Sequence, residues 1–287
     1  MKKVFSVDDL PRFSPWPARL LGLTPWEPRK KTAVEVTREF DRDKWGALLE
    51  RYRAAGGNAT LDVVEDWWVG EEPPSLCSLE ERFELLAAKE ALARHVETVA
   101  ATLAPLLPAS SVVELGAGYG SVILRLAADA RFQGVPLAAA EYTQSGLELI
   151  KGIAAAQNLS LRAGRCDLTA SALTDLAVAP GAVIFTCMAA HYAAHINDGF
   201  VAAFARLRPK AVVHFEPCYE HCDTQSLIGA LRRRYIEMND YNRNLIELLH
   251  KEAAAGAIRI VEERPAVIGV NPLLPISVIV WQPTEVR

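Results

Sequence analysis

The distribution of apolar and polar residues changes near residue 110. Beyond this point, short apolar runs occur at residues 112–115, 137–141, 161–166, 182–186 and 211–216. Between them lie stretches in which apolar residues recur every three or four positions, at residues 120–129, 145–157, 170–176 and 197–207. The short runs predict buried strands and the longer stretches predict amphipathic helices. Such an alternation is typical of a parallel sheet that is covered by helices on both faces.

The end of the chain follows a different pattern. A long helical pattern over residues 224–255 precedes two strand-like runs at residues 258–268 and 276–281, which a loop containing "GVNPLLP" connects. We therefore expect one long helix and then two final strands that join the same sheet.

The first 109 residues form a separate region in this interpretation. Prolines and tryptophans crowd residues 10–29, which predicts an extended or turning arm that covers the main domain with its large apolar side chains. A helix capped by Asp41 or Asp43 follows, and a second helix is predicted to begin at Ser78, with Glu81 at the capping-box position. The segment "EDWWVGEEPPS" between them predicts a loop. We assign residues 1–109 to a substrate-binding arm and helical cover, and residues 110–287 to the main domain.

The composition excludes few classes of protein, but it argues against nucleic acid as a partner. The chain has 287 residues and a net charge of −4, so it lacks the basic balance that is typical of nucleic-acid-binding proteins. No apolar run is long enough to cross a bilayer, and no secretory signal is recognisable at the start. Five cysteines without a regular framework predict reduced thiols in a cytoplasmic protein. The sequence does not specify an oligomeric state.

The segment "VVELGAGYGS", residues 112–121, carries the strongest chemical signal. A strand that ends at glycines and continues as a helix exposes backbone N–H groups at the edge of the sheet, where α/β proteins bind ligands. Gly116 and Gly118 fit the dinucleotide fingerprint, but Ser121 stands where its third glycine belongs and Gly120 is shifted by one position. Glu114 just before the loop would repel a pyrophosphate and suits a cationic nucleoside.

These residues resemble the first motif of the class I S-adenosylmethionine-dependent methyltransferases, and the likeness extends over residues 95–287. It implies an α/β, Rossmann-like, seven-stranded methyltransferase sheet with an α-helical N-terminal accessory region, and it implies S-adenosylmethionine as cofactor and S-adenosylhomocysteine as product. The strand ends in "AEYT" and "RCDLT" match the positions where the family binds the ribose hydroxyls and the adenine, and "IFTC" matches the methionine end. The cofactor-binding residues that this resemblance implies are Glu114, Gly116, Gly118, Gly120, Glu141, Tyr142, Asp167, Leu168, Thr186 and Cys187.

Each of these positions also has a simpler interpretation. The glycines would serve a tight turn alone, Glu141 would be a solvated charge at a helix start, and Asp167 would only cap a helix beginning near Ala170.

Methyl transfer to oxygen or to an amide requires a base near the ends of the fourth and fifth strands. His191 and Tyr192 follow the fourth strand and Glu216 ends the fifth, so these three are the catalytic candidates. A structural histidine and a structural ion pair are the alternatives. His214, Cys218, His221 and Cys222 lack convincing zinc-ligand spacing, so no metal site is predicted.

Several polar and aromatic side chains further along the chain are candidates for the acceptor pocket. In the simpler interpretation, Tyr235 belongs to a buried stripe of the long helix. They are Tyr219, Tyr235, Asn239, Tyr241, Asn242 and Asn271.

A weaker resemblance links "HFEPCYE", "NDYNRNL" and "NPLLPISVIVW" to natural-product methyltransferases, including those that methylate asparagine side chains of ribosomal peptides. We therefore predict a biosynthetic enzyme that methylates nitrogen in a peptide, with a small-molecule or sugar O-methyltransferase as the alternative. A nicotinamide oxidoreductase and a catalytically silent cofactor-binding partner protein are the remaining alternatives.

Overall fold

A computed structural model describes residues 4–27, 30–70, 72–170 and 172–284. Within these residues, ten strands form one mixed sheet. In chain order they are β1 (Ser75–Leu79), β2 (Arg82–Leu86), β3 (Val112–Leu115), β4 (Leu137–Glu141), β5 (Leu161–Asp167), β6 (Ala172–Thr174), β7 (Val183–Cys187), β8 (Ala211–Glu216), β9 (Ile258–Gly269) and β10 (Ile276–Pro283).

The strand order is β2-β1-β9-β10-β8-β7-β3-β4-β5-β6. Strands β5, β4, β3, β7 and β8 are parallel, and β10 inserts antiparallel between β8 and β9. These seven strands are the predicted methyltransferase sheet, so the predicted fold class is confirmed. Strand β6 extends one edge, and the hairpin β1–β2 extends the other through the pairing of β1 with β9.

Helices cover both faces of the sheet. They are α1 (Leu10–Phe13), α2 (Trp16–Leu20), α3 (Ala33–Thr37), α4 (Trp45–Ala54), α5 (Leu61–Val69), α6 (Ala88–Leu103), α7 (Ser121–Ala128), α8 (Gln144–Ala156), α9 (Phe200–Ala205), α10 (Leu227–Met238) and α11 (Leu245–Ala254). The central strands direct apolar side chains to both faces of the sheet, and the helices bury them. Two large apolar clusters result, one on each face.

The N-terminal arm packs on the main domain. Leu10 and Leu20 are buried in a third cluster with Tyr235 and Tyr241, and Trp16 lies edge-on against Tyr235 with ring centroids 4.5 Å apart. A π-helical segment, Arg38–Lys44, joins α3 to α4. Such segments are rare and concentrate at functional sites.

Three local predictions for short segments were wrong. Residues 75–86 form a hairpin instead of the helix capped by Ser78, because β1 pairs with the otherwise open edge of β9. The predicted loop "EDWWVGEEPPS" lies partly in α5. Residues 172–174 form a strand on β5 instead of a helix.

The predicted long helix at residues 224–255 is divided into α10 and α11. Asp240 has a positive φ of 53°, and the Asn242 side chain accepts hydrogen bonds from the backbone of Asn244 and Leu245 at the start of α11. A residue at positive φ cannot continue a helix, and the asparagine supplies the new N-terminus with a cap.

Among the described residues, no helix combines the length and the apolar character needed to span a membrane.

Candidate cofactor site

The glycine loop lies where β3 ends and α7 begins. Gly116, Gly118 and Gly120 all have positive φ values, of 75°, 58° and 88°. A Cβ atom on Gly116 would lie 2.4 Å from the Cβ of Ala189, and one on Gly118 would lie 3.0 Å from the Trp45 ring. Side chains are therefore excluded by both backbone conformation and space, which leaves the loop backbone open to a ligand.

Two acids follow the loop at the ends of the neighbouring strands. Glu141 ends β4, and its carboxylate accepts hydrogen bonds from the N–H of Gly118 at 2.8 Å and from Thr143 at 2.9 and 2.8 Å. Asp167 ends β5, and one of its oxygens accepts from Thr169 and Ala170. Both acids line a cavity of about 150 Å³, together with Gly116, Gly118, Tyr142 and Leu168.

Glu114 lies behind the loop and does not line this cavity. It is 2% exposed, and its carboxyl accepts from the N–H of Ile123 in the first turn of α7 at 3.0 Å. Burial, with a smaller contribution from the nearby Glu141, raises the pKa of Glu114 to about 8. The side chain therefore holds the start of α7 in this structure.

The pKa of Glu114 makes the stability of the protein pH-dependent. The folded protein keeps a proton that the unfolded chain releases above its ordinary pKa of 4.5, so the stabilisation is complete below that pKa and is lost as the pH rises towards 8. We expect Glu114→Gln to gain stability relative to wild type between about pH 5 and about pH 8, by at most about 1.4 kcal/mol per pH unit. Urea unfolding of both proteins across this range measures the difference. Parallel pH profiles would contradict the assignment.

The other wall of the cavity follows β7. Met188, Ala189, Tyr192 and Ala193 line it. Thr186 and Cys187, which precede them, are buried on the inside and do not line the cavity: Thr186 lies 3.0 Å from Nδ1 of His214, and the Cys187 sulfur lies 3.0 Å from Nε2 of His95. Burial lowers the pKa of both histidines to about 4, so both are neutral partners of these side chains.

His191 and Glu216 form a buried pair beside this wall. The Glu216 carboxylate accepts hydrogen bonds from the backbone N–H groups of Ala189, Ala190 and His191 and lies 3.1 Å from the His191 Nδ1. Burial alone would favour the neutral acid, but the bonds from His191 and the backbone lower the pKa of Glu216. Because a carboxylate only accepts, Nδ1 of His191 carries the proton, and its Nε2 has no hydrogen-bond partner.

The structure thus brings the three catalytic candidates together, with different exposure to the cavity. Tyr192 lines it, whereas His191 lies behind Tyr192 with ring centroids 4.2 Å apart. Glu216 is fully buried and already accepts four hydrogen bonds, which matches a carboxylate that fixes the Ala189–His191 segment.

The N-terminal cover forms the roof of the cavity. Sequence reasoning missed these residues because no spacing within residues 31–45 signals contact with a loop about 70 positions later. The roof consists of Lys31, Ala33, Val36, Phe40 and Trp45. Phe40 lies edge-on against Tyr192 at 4.7 Å, and Trp45 packs on Tyr119 of the glycine loop at 5.1 Å.

Asp41 connects the π-helical segment of the roof to α8. Its Oδ1 accepts from both the N–H and the hydroxyl of Ser145, at 2.8 and 2.7 Å, in the first turn of α8. It therefore supports a helix other than the one it was predicted to cap. We expect Asp41→Ala to lower the free energy of unfolding by about 1 kcal/mol, the usual effect of losing a cap. Thermal or urea unfolding measures this change.

Asp43→Ala is the matched control for this prediction. Asp43 is half-exposed and pairs with the exposed Arg42. Exposed ion pairs contribute little, so its loss should change stability by less than about 0.5 kcal/mol. Equal effects of the two substitutions would show that the contact of Asp41 with Ser145 contributes no special stability.

The predicted acceptor-pocket residues lie outside the cavity walls. Tyr235 and Tyr241 are buried in the third apolar cluster, against the N-terminal arm. The side chains of Asn239 and Asn242 donate hydrogen bonds to the carbonyls of Tyr235 and Ala193. Tyr219 donates to Glu237, and Asn271 accepts from the N–H of Leu273. Within the described residues, no group of histidines, cysteines and acids has the geometry of a metal site.

Comparison with known proteins establishes the fold. No family model and no curated protein matches the chain. Among solved structures, the [4+2]-cyclase SpnF has a TM-score of 0.55 at 11% identity, over 90% of this chain and 97% of its own. The CcbJ methyltransferase from Streptomyces caelestis has a TM-score of 0.48 at 14% identity, over 66% of this chain and 90% of its own. The methyltransferase domain of bacterial CtHen1 has a TM-score of 0.45 at 18% identity, over 68% of this chain and 100% of its own.

Proposed function

From a chain with the fold of the class I methyltransferases, we propose an S-adenosylmethionine-dependent methyltransferase that acts in a biosynthetic pathway. The observation that carries the proposal is the alignment of three features along one cavity: the loop of Gly116 and Gly118, Glu141 and Asp167. These features come from the ends of three adjacent strands, β3, β4 and β5. A nucleoside with a cationic amino-acid extension matches a cavity that has two acids and an open backbone loop.

The chemistry of these residues fits this cofactor, as does their order along the adjacent strands. Carboxylate oxygens at Glu141 are suited to pair with ribose hydroxyls, and the wall of Tyr142 and Leu168 is suited to an adenine ring next to Asp167. Gly116 and Gly118 line the cavity, so their backbone is suited to lie along the amino-acid portion. When bound, S-adenosylmethionine supplies an activated methyl group on a sulfonium ion.

The protein's contribution is then to align the acceptor and to exclude water. Alignment of this kind accounts for about 7 kcal/mol or more in favourable cases. Phe40, Trp45 and Tyr192 close the cavity with aromatic surface. Burial raises the pKa of Tyr192 well above its ordinary value, so its phenol stays protonated and acts as a hydrogen-bond donor to the acceptor.

An amide or hydroxyl acceptor must lose a proton during methyl transfer, so the acceptor end needs a base. The carboxylate of Glu216 is occupied by four donors, whereas Nε2 of His191, behind Tyr192, has no hydrogen-bond partner. We assign His191 as the base, Glu216 as the residue that orients it, and Tyr192 as the residue that orients the acceptor. The acceptor is a small molecule or a peptide, and methylation of nitrogen, including an asparagine side-chain amide, is the favoured outcome; a hydroxyl of a small molecule or sugar is the alternative.

Calorimetry with S-adenosylhomocysteine, followed by incubation with S-adenosylmethionine and candidate acceptors, tests the proposal. We expect binding with a measurable heat and formation of S-adenosylhomocysteine in the presence of an acceptor. Binding without turnover over a broad acceptor panel would favour a catalytically silent partner protein. The absence of binding, combined with binding of a reduced nicotinamide, would favour an oxidoreductase.

A further inference from the structure

The cavity holds one basic side chain among the described residues that line it, and this side chain comes from the cover. The Lys31 side chain is only 8% exposed. The two acids of the cavity, Glu141 and Asp167, lie at the ends of β4 and β5. A positive charge in a mostly apolar cavity is unfavourable unless an anion compensates it.

Lys31 lies on the side of the cavity that the residues after β7 form. Its Nζ is 5.0 Å from the centroid of the Tyr192 ring and 5.4 Å from that of Tyr241. Tyr192 follows β7, which lies on one side of β3, whereas β4 and β5 lie on the other side. The ammonium group and the nucleoside-facing acids are therefore separated by the glycine loop.

Nearby acids do not fully compensate the charge at this end. Glu39 pairs with both Lys31 and Lys44, each at 2.7 Å, so one carboxylate serves two ammonium groups. Asp240 accepts from the backbone N–H of Lys31, but its charge is paired with Arg243 at 3.1 Å. Counted over these five side chains, the net charge is +1. The Glu216 carboxylate beside this wall is already bound by four donors of its own. An ammonium group also has three donors, and Glu39 accepts from one of those of Lys31.

We propose that Lys31 binds the carboxylate of the amino-acid portion of the cofactor. This inference rests on the proposed function. The nucleoside-facing acids place the adenosine at β4 and β5, so the amino-acid portion extends across the glycine loop towards β7. That portion carries one carboxylate, and Lys31 is the cation that the described cavity offers to it. The cover thereby determines selectivity for the complete cofactor over nucleosides that lack a carboxylate.

Calorimetry with two ligands on two variants tests the inference. S-adenosylhomocysteine has the carboxylate, whereas 5′-methylthioadenosine lacks the whole amino-acid portion. We expect Lys31→Gln to weaken binding of S-adenosylhomocysteine by about 10-fold to 100-fold, the usual effect of losing a hydrogen bond between charged groups. Binding of 5′-methylthioadenosine should change by less than about 2-fold. Lys31→Arg should retain most of the affinity, and Lys30→Gln, at the exposed neighbouring lysine, should bind both ligands as wild type does.

A ligand-side experiment keeps the inference testable if Lys31→Gln fails to fold. On wild-type protein, the decarboxylated analogue of S-adenosylhomocysteine, which retains the ammonium group, should bind about 10-fold to 100-fold more weakly than S-adenosylhomocysteine. Equal affinities would overturn the inference. An equal loss for both ligands in Lys31→Gln would also overturn it, because it would show a purely structural role. Wild-type protein that binds neither nucleoside would instead reject the proposed function itself.

Discussion

Gly116→Ala should weaken the binding of S-adenosylhomocysteine by about 100-fold or more. The new Cβ would lie 2.4 Å from the Cβ of Ala189, a distance that real contacts do not reach, so the loop and the wall after β7 must separate. Ala189 also donates its N–H to Glu216, so this displacement disturbs the segment that carries His191 and Tyr192. Calorimetric titration with S-adenosylhomocysteine measures the loss.

Gly134→Ala is the matched control for backbone strain. Gly134 has a φ of 77°, almost the same as the 75° of Gly116, but a Cβ at Gly134 meets nothing within 4 Å. Both substitutions should lower the free energy of unfolding by about 1–2 kcal/mol through the left-handed backbone alone, and Gly116→Ala should lower it further through the contact with Ala189. Only Gly116→Ala should lose affinity. A similar affinity loss in both variants would mean that strain, and not the shape of the cavity, explains the effect.

Glu141→Gln should produce the second large loss, again about 100-fold in the affinity for S-adenosylhomocysteine. Hydrogen bonds to a charged acceptor contribute about 1.5–3 kcal/mol each, and the carboxylate is proposed to accept two from the ribose. The substitution keeps the size of the side chain and one acceptor oxygen, so the N–H of either Gly118 or Thr143 loses its acceptor. Fluorescence or calorimetric titration of the variant gives the affinity.

Two controls separate ribose recognition from a change in the loop. Glu148→Gln alters a partly exposed glutamate that pairs with Arg53 and lies on α8, the helix after β4, and this variant should bind as wild type does. Wild-type protein should prefer adenosine to 2′,3′-dideoxyadenosine, and Glu141→Gln should abolish this preference. A preference that survives in the variant would exclude Glu141 as the partner of the ribose hydroxyls.

The part of the site that sequence could predict is the part formed by strand ends. Glu141 and Asp167 each follow an apolar run, and parallel strands bring their carboxyl ends to one edge, so local pattern and fold class together placed them at the cavity. The same reasoning predicts that His191 and Glu216 lie close together, and Nδ1 of His191 is 3.1 Å from Oε2 of Glu216. The orientation of a side chain at a strand end is not set by this logic, and for that reason Thr186 and Cys187 point inward to His214 and His95 instead.

The part that sequence could not predict depends on contacts between distant segments. Lys31, Phe40 and Trp45 reach the cavity only because the π-helical segment and α4 pack on α8 and on the glycine loop. The hairpin β1–β2 exists because β9 leaves an edge to pair, a feature that is absent from the local pattern of residues 75–86. Tertiary contacts of this kind override the secondary-structure propensity of a short segment.

The most direct test of the account is a crystal structure of the protein with S-adenosylhomocysteine. The account predicts the ribose hydroxyls against the carboxylate of Glu141, the adenine beside Asp167 and Leu168, and the amino-acid portion over Gly116. Ligand density at any other place on the protein, or a cavity that stays filled by the side chains of Phe40 and Tyr192 at saturating ligand, would contradict it.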